Sequence, residues 1–137
     1  MSEIRENKEV LNHLFQELGQ AIVPALPLHW ERVVAGFFIE AESGITHFQL
    51  FFLEGKADDY VDVVKESWDT DRYDDAIVDS EDICRKMHTV CAEAGDDWSS
   101  MTFMVEKNGN YHTDFSYEAI DSYDMHYVLV WQSRYLI

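Results

Sequence analysis

Trp98-Ser99-Ser100-Met101-Thr102-Phe103-Met104-Val105-Glu106-Lys107-Asn108-Gly109-Asn110-Tyr111-His112-Thr113-Asp114-Phe115-Ser116-Tyr117 is the stretch on which the fold turns. Two alternating runs meet at Asn108-Gly109, a pair suited to the positive φ angles of a two-residue hairpin turn. Met101, Phe103 and Val105 share one face of the first run. Tyr111, Thr113, Phe115 and Tyr117 share one face of the second, with His112, Asp114, Ser116 and Glu118 opposite. So much apolar surface needs a covering helix or further strands. The hairpin is therefore expected at the centre of a sheet, with the rest of the chain as its cover.

Working outward, Ser2 to Ile22 reads as an amphipathic helix. Ile4, Leu11, Leu14, Phe15, Leu18 and Ile22 recur at three- and four-residue steps, and Pro24 and Pro27 end the pattern. Arg32–Glu40, rich in β-branched and aromatic residues, predicts a strand buried on both faces. Glu42-Ser43-Gly44 turns the chain into a second strand, Ile45–Phe52. Thr46, Phe48, Leu50 and Phe52 oppose Ile45, His47, Gln49 and Phe51, so one side of this strand is expected to be wet. A short edge strand is expected near Tyr60–Val64. Ile83–Ala94 predicts a helix with Ile83, Met87, Val90 and Cys91 inward and Gly95 at its end. Met125–Ile137 has helical spacing, although Tyr-Val-Leu-Val-Trp also suits a strand. The fold class is α+β: an antiparallel four- to five-stranded sheet with an N-terminal, a middle and a C-terminal helix.

The 137 residues suit one domain, 1–137, able to bury roughly two-thirds of its unfolded surface. Apolar residues make up 47% of the chain and aromatics 14%, the composition of a folded protein. Its 27 acids against 10 bases leave a net charge of −17. Such a field repels nucleic acid and anionic membrane and attracts basic partners. Solubility or adaptation to high salt would also account for it. Met1–Lys8 has no apolar core, so no signal peptide is expected, and no run approaches the roughly 20 residues of a membrane span. A cytoplasmic protein is expected. Cys84 and Cys91 sit seven apart on one helix, a rise of about 10 Å, too far for a disulfide.

No catalytic constellation stands out. Cys84, His88 and Cys91 share a helix face, but a closed zinc site normally draws four ligands from two elements. Asp69-Thr70-Asp71-Arg72-Tyr73-Asp74 begins like a calcium loop and then lacks its glycine and closing glutamate. His112 and Asp114 would make an acid–base pair without any nucleophile motif. Neither cofactor nor metal is expected, and the chain reads as a binder. Glu54–Asp82 holds twelve acids against Lys56, Lys65 and Arg72. The candidate partner-binding residues lie within it: Asp58, Asp59, Tyr60, Asp62, Glu66, Trp68, Asp69, Asp71, Tyr73, Asp74 and Asp75. Carboxylates supply the field, and the embedded aromatics supply anchors that can be desolvated.

Several motifs carry a resemblance. Pro27-x-x-Trp30-x-x-Val33, Trp98-x-x-Met-Thr-Phe-x-Val105, the Asn-Gly turn, Tyr111-x-x-Asp-Phe-x-Tyr117 and Trp131-x-x-x-Tyr135-Leu136 together resemble the YezG-like family of bacterial immunity proteins. The likeness runs from about Val10 to Ile137. The chain departs from the family pattern at Ile137, where glycine is frequent, and across the acidic segment. The resemblance implies an α+β, non-enzymatic protein that binds and neutralises the toxic C-terminal domain of a cognate secreted toxin, often a nuclease. It carries over no catalytic residues, and the matched aromatics are read as core. An acidic adaptor or regulatory module for another basic partner is the competing reading. A metal-dependent module or enzyme is the third.

Overall fold

A computed structural model describes residues 2–55, 59–65, 74–121 and 126–136. Their elements are α1 (Ser2–Ile22), a 3-10 turn (Val23–Ala25), β1 (Trp30–Ile39), β2 (Thr46–Glu54), β3 (Val61–Asp62), α2 (Asp74–Glu93), β4 (Ser100–Glu106), β5 (Tyr111–Ser116) and α3 (His126–Tyr135). The strands form one antiparallel sheet in the order β3-β2-β1-β4-β5.

β1 is the central strand, because Val33–Phe38 is an uncharged run buried throughout. Such a run must be paired on both edges and covered on both faces. Val33 pairs with Phe52 on one side and Val105 on the other, and Phe37 with Phe48 and Met101. The hairpin expected at the centre is displaced: β4 adjoins β1, but β5 is the outer strand. The strand bounds otherwise fall within a few residues of expectation, and the terminal element is helical.

One face of the sheet carries α1 and α2. Leu14, Leu18 and Ile22 of α1 and Cys84, Met87 and Cys91 of α2 close over Val33, Ala35, Phe37, Phe48, Leu50, Phe52, Met101 and Phe103. Helix α2 starts nine residues before the expected Ile83, with Asp74 and Asp75 in its first turn, where carboxylates suit the helix dipole. Its inward stripe is Ser80, Cys84, Met87 and Cys91; Met87 and Cys91 are as expected, while Ile83 and Val90 are only half-buried. Gly95, at φ 88°, ends it in a Schellman motif, with Asp96 N donating to Cys91 O and Gly95 N to Ala92 O.

Helix α3 covers the other face. Val34, Phe38, Phe51 and Trp131 form a second, smaller core, with Tyr60, Met104, Tyr127 and Tyr135 packed around it. This overturns the expectation that one side of β2 would be wet. Gln49 and Phe51 are both buried, and Gln132 Nε2 donates to Gln49 Oε1. The Trp131 indole edges onto Phe38 at 5.7 Å, and its Nε1–H donates to Thr102 Oγ1 at 2.8 Å.

The hairpin turn also differs from the expected two-residue form. Gly109 N donates to Glu106 O and Glu106 N to Asn110 O, with Gly109 at φ 93°. That pattern is a type I turn over Lys107-Asn108 followed by a bulge at Gly109. The extra residue decides the face. A two-residue loop would pair Val105 with His112; the observed register pairs Val105 with Tyr111, Phe103 with Thr113 and Met101 with Phe115. Tyr111, Thr113 and Phe115 therefore share the face of α1.

A Cβ built on Gly36 would lie 2.6 Å from Trp131 Cζ2. Gly36→Ala must push a rigid indole off the sheet, an overpacking cost of about 1–3 kcal/mol. Equilibrium urea unfolding of the variant checks this, with wild-type stability as the contrary result.

Candidate protein-binding surface

Of the residues expected to bind a partner, Asp58, Glu66, Trp68, Asp69, Asp71 and Tyr73 lie outside the described residues. Of the others, Asp59, Tyr60 and Asp62 lie in or beside the edge strand β3, and Asp74 and Asp75 open α2. Asp59 is exposed, as are Asp74 and Asp75 at the start of α2. Asp62 accepts the Lys65 N–H at 3.0 Å, capping the helical turn that begins at Val63. Tyr60 is half-buried against the second core with its hydroxyl enclosed. The three exposed carboxylates are thus free to project a field, while Asp62 and Tyr60 also have local structural work.

Beside this edge, Thr46 Oγ1 donates to Glu81 Oε1 at 2.9 Å, and Arg85 bonds to both Glu81 and Asp82. Arg85 also donates to Thr46 Oγ1 at 2.9 Å, so its guanidinium ties Glu81 and Asp82 to the start of β2. His47 Nε2 stands 2.6 Å from Gln49 Nε2, whose Oε1 is taken by Gln132. That arrangement requires an imidazole that accepts, hence a neutral one. Burial lowers the His47 pKa, against the opposing pull of Glu81 and Asp62. A histidine depressed on folding contributes stability that is present above its unfolded pKa and lost as pH falls below about 6.5. His47→Gln should weaken that acid-side loss. Thermal unfolding of both proteins between pH 7.5 and 5 measures it, with parallel pH profiles as the contrary result.

The opposite edge of the sheet, about 19 Å away at four strand spacings, carries a second surface that the sequence reading had placed in the core. Trp98, Met101, Phe103 and Trp131 are indeed buried, but Tyr111, Phe115 and Tyr117 are exposed. Because β5 is outermost, side chains on its inner face meet the rim of α1 rather than its middle. Phe15 of α1 stacks on Phe103 at 5.6 Å and reaches Tyr111 at 6.0 Å. Between α1 and the hairpin lies an apolar groove of about 760 Å³ whose wall includes Gly19. A Cβ at Gly19 would meet nothing within 4 Å. Gly19→Ala should therefore raise stability by about 0.5–1 kcal/mol, the ordinary gain inside a helix. Denaturant unfolding reads this; a loss would mean the helix needs glycine there.

The cysteine and histidine groups weighed as chemical sites have other partners. Cys84 and Cys91 are buried free thiols, and burial pushes the Cys84 thiol far up, against any role as a thiolate. His88 Nε2 bonds instead to Asp97 Oδ1 at 3.1 Å, with its ring edge-on to Trp98. Among the described residues, no group of three or more His, Cys, Asp or Glu side chains could hold a metal ion. His112 Nε2 does lie 2.8 Å from Asp114 Oδ1, but Asp114 Oδ2 also accepts from Tyr135 OH, tying the carboxylate to α3. Among the described residues no helix is long and apolar enough to cross a membrane.

Among the described residues, what remains is a charged, partly aromatic exterior on a sheet closed at neither edge. No curated protein matches the chain. The model of a family described as "Immunity protein YezG-like" matches residues 11–136, so the matched region includes both edges of the sheet. The chain belongs to the YezG-like family of immunity proteins.

Proposed function

We propose that this protein binds and neutralises the toxic domain of a cognate secreted toxin, and that the toxin is a nuclease met through an acidic surface. Family membership supports the immunity role. The net charge of −17 is the observation that carries the finer reading. A nuclease must present cationic groups to phosphates. Carboxylates held by a folded inhibitor can occupy those positions without offering a scissile bond. No catalytic residue is required of the inhibitor.

The acidic segment from Asp58 to Asp75 is the proposed source of the field. Glu54–Asp82 carries nine of the seventeen excess negative charges. Opposite fields accelerate encounter, which matters against a toxin that turns over. Asp59, Asp74 and Asp75 are exposed, so reversing them leaves both cores untouched.

The triple variant Asp59→Lys, Asp74→Lys, Asp75→Lys should slow association with the cognate toxin domain by about tenfold at low salt. The difference should shrink as salt rises. Stopped-flow association at several ionic strengths, using a catalytically inactive toxin domain, measures both. Unchanged association at low salt would remove this segment from the interface and leave the immunity role to be explained from another face.

A further inference from the structure

We infer that β5 is a docking edge, on which an extended segment of the cognate toxin adds as a sixth strand and seats an apolar side chain in the groove beside α1. The inference rests on the immunity reading and specifies where and how the toxin is gripped.

The first observation is an open ladder. Among the described residues, β5 pairs with β4 alone. Glu106 N donates to Asn110 O and Ser99 N to Ser116 O, so even-numbered residues of β5 turn their backbone groups toward β4. In an antiparallel pair the alternate residues turn theirs outward. Tyr111, Thr113 and Phe115 thus offer N–H and C=O groups along the free edge, the template used in strand addition.

The second observation is apolar surface in the right place. Tyr111 is 55% exposed, Phe115 39% and Tyr117 62%, at the two-residue period that an added strand would match. The groove continues this surface over Phe15, Phe103 and Val23 to Gly19. Glycine in a helix interior is unfavourable, and here no neighbour requires it. Its effect is to leave the groove open, since any larger side chain would project into it.

Charge selects the occupant. Glu93–Asp121 contains seven carboxylates and the single lysine Lys107. Lys107 is already held by Leu28 O at 2.9 Å and lies 4.8 Å over the Trp30 ring. A second copy of this chain would bring another −17 to the same edge. A toxin segment alternating apolar residues with lysine or arginine meets both the aromatic row and the field.

Two variants test the edge in the whole protein. Thr113→Pro removes an outward donor and leaves the β4 ladder intact, the one strand setting in which proline is tolerated. Gly19→Phe fills the groove from a position with free space. Each should speed dissociation from the inactive toxin domain by about tenfold or more while association stays within about twofold. Hydrogen exchange at Tyr111, Thr113 and Phe115 should slow on binding, a readout that needs no variant. Wild-type dissociation in both variants, with unaltered exchange along β5, overturns the edge and leaves the immunity reading standing. Failure of the wild-type protein to bind the toxin domain overturns both. A homodimer that Thr113→Pro dissociates, seen by sedimentation, overturns the choice of occupant.

Discussion

The Trp131 indole resting where Gly36 has no side chain is the contact on which both layers of this molecule depend. β1 is apolar on both faces, so a sheet built around it needs two covers. The amphipathic helices α1 and α2 supply one. The other is a ten-residue helix whose buried residues are Val128 and Trp131. So small an anchor holds because the indole sits directly on the central strand and donates its N–H to Thr102 on the neighbouring one. Removing a buried aromatic of this kind costs about 3–5 kcal/mol. With it would go the cover over Val34, Phe38 and Phe51.

That contact also explains which parts of the fold were legible. Strong periodicity placed α1, β1, β2 and the two hairpin strands, since each pattern is local. The order of the strands is not local. The Met101–Tyr117 hairpin has the most conspicuous aromatic alternation, which suggested a central place; the uninterrupted Val33–Phe38 run, lacking any polar face, was the better sign of a centre. The turn was misjudged by one residue, and a one-residue shift exchanges the faces of β5. The start of α2 was missed because Asp74, Asp75 and Asp79 look like loop acids until the helix dipole is considered. Nothing in the pattern of β2 announced that a terminal helix would bury Gln49 and Phe51.

For the binding surface, charge was legible and geometry was not. The density of acids between Glu54 and Asp82 is visible in any reading of the chain, whereas the exposure of Tyr111, Phe115 and Tyr117 follows only from β5 being outermost. Among the described residues, two edges of one sheet thereby acquire different physical characters: exposed Asp59 beside β3, exposed aromatic rings with an open backbone ladder at β5. Long-range fields set how fast partners meet, and short-range burial and hydrogen bonding set how long they stay. On the proposed reading, the two edges would serve these two needs on separate elements.

The central claim is that this chain inhibits by occupying the toxin rather than by chemistry of its own. Titrating it into a fixed amount of the active toxin domain it is proposed to neutralise, with nucleic-acid cleavage as the readout, tests that most directly. The account predicts a linear loss of cleavage ending at one equivalent, with the toxin domain recovered chemically intact and active after the complex is dissociated. Cleavage that persists beyond one equivalent, or substoichiometric inactivation that leaves the toxin domain modified, would contradict it.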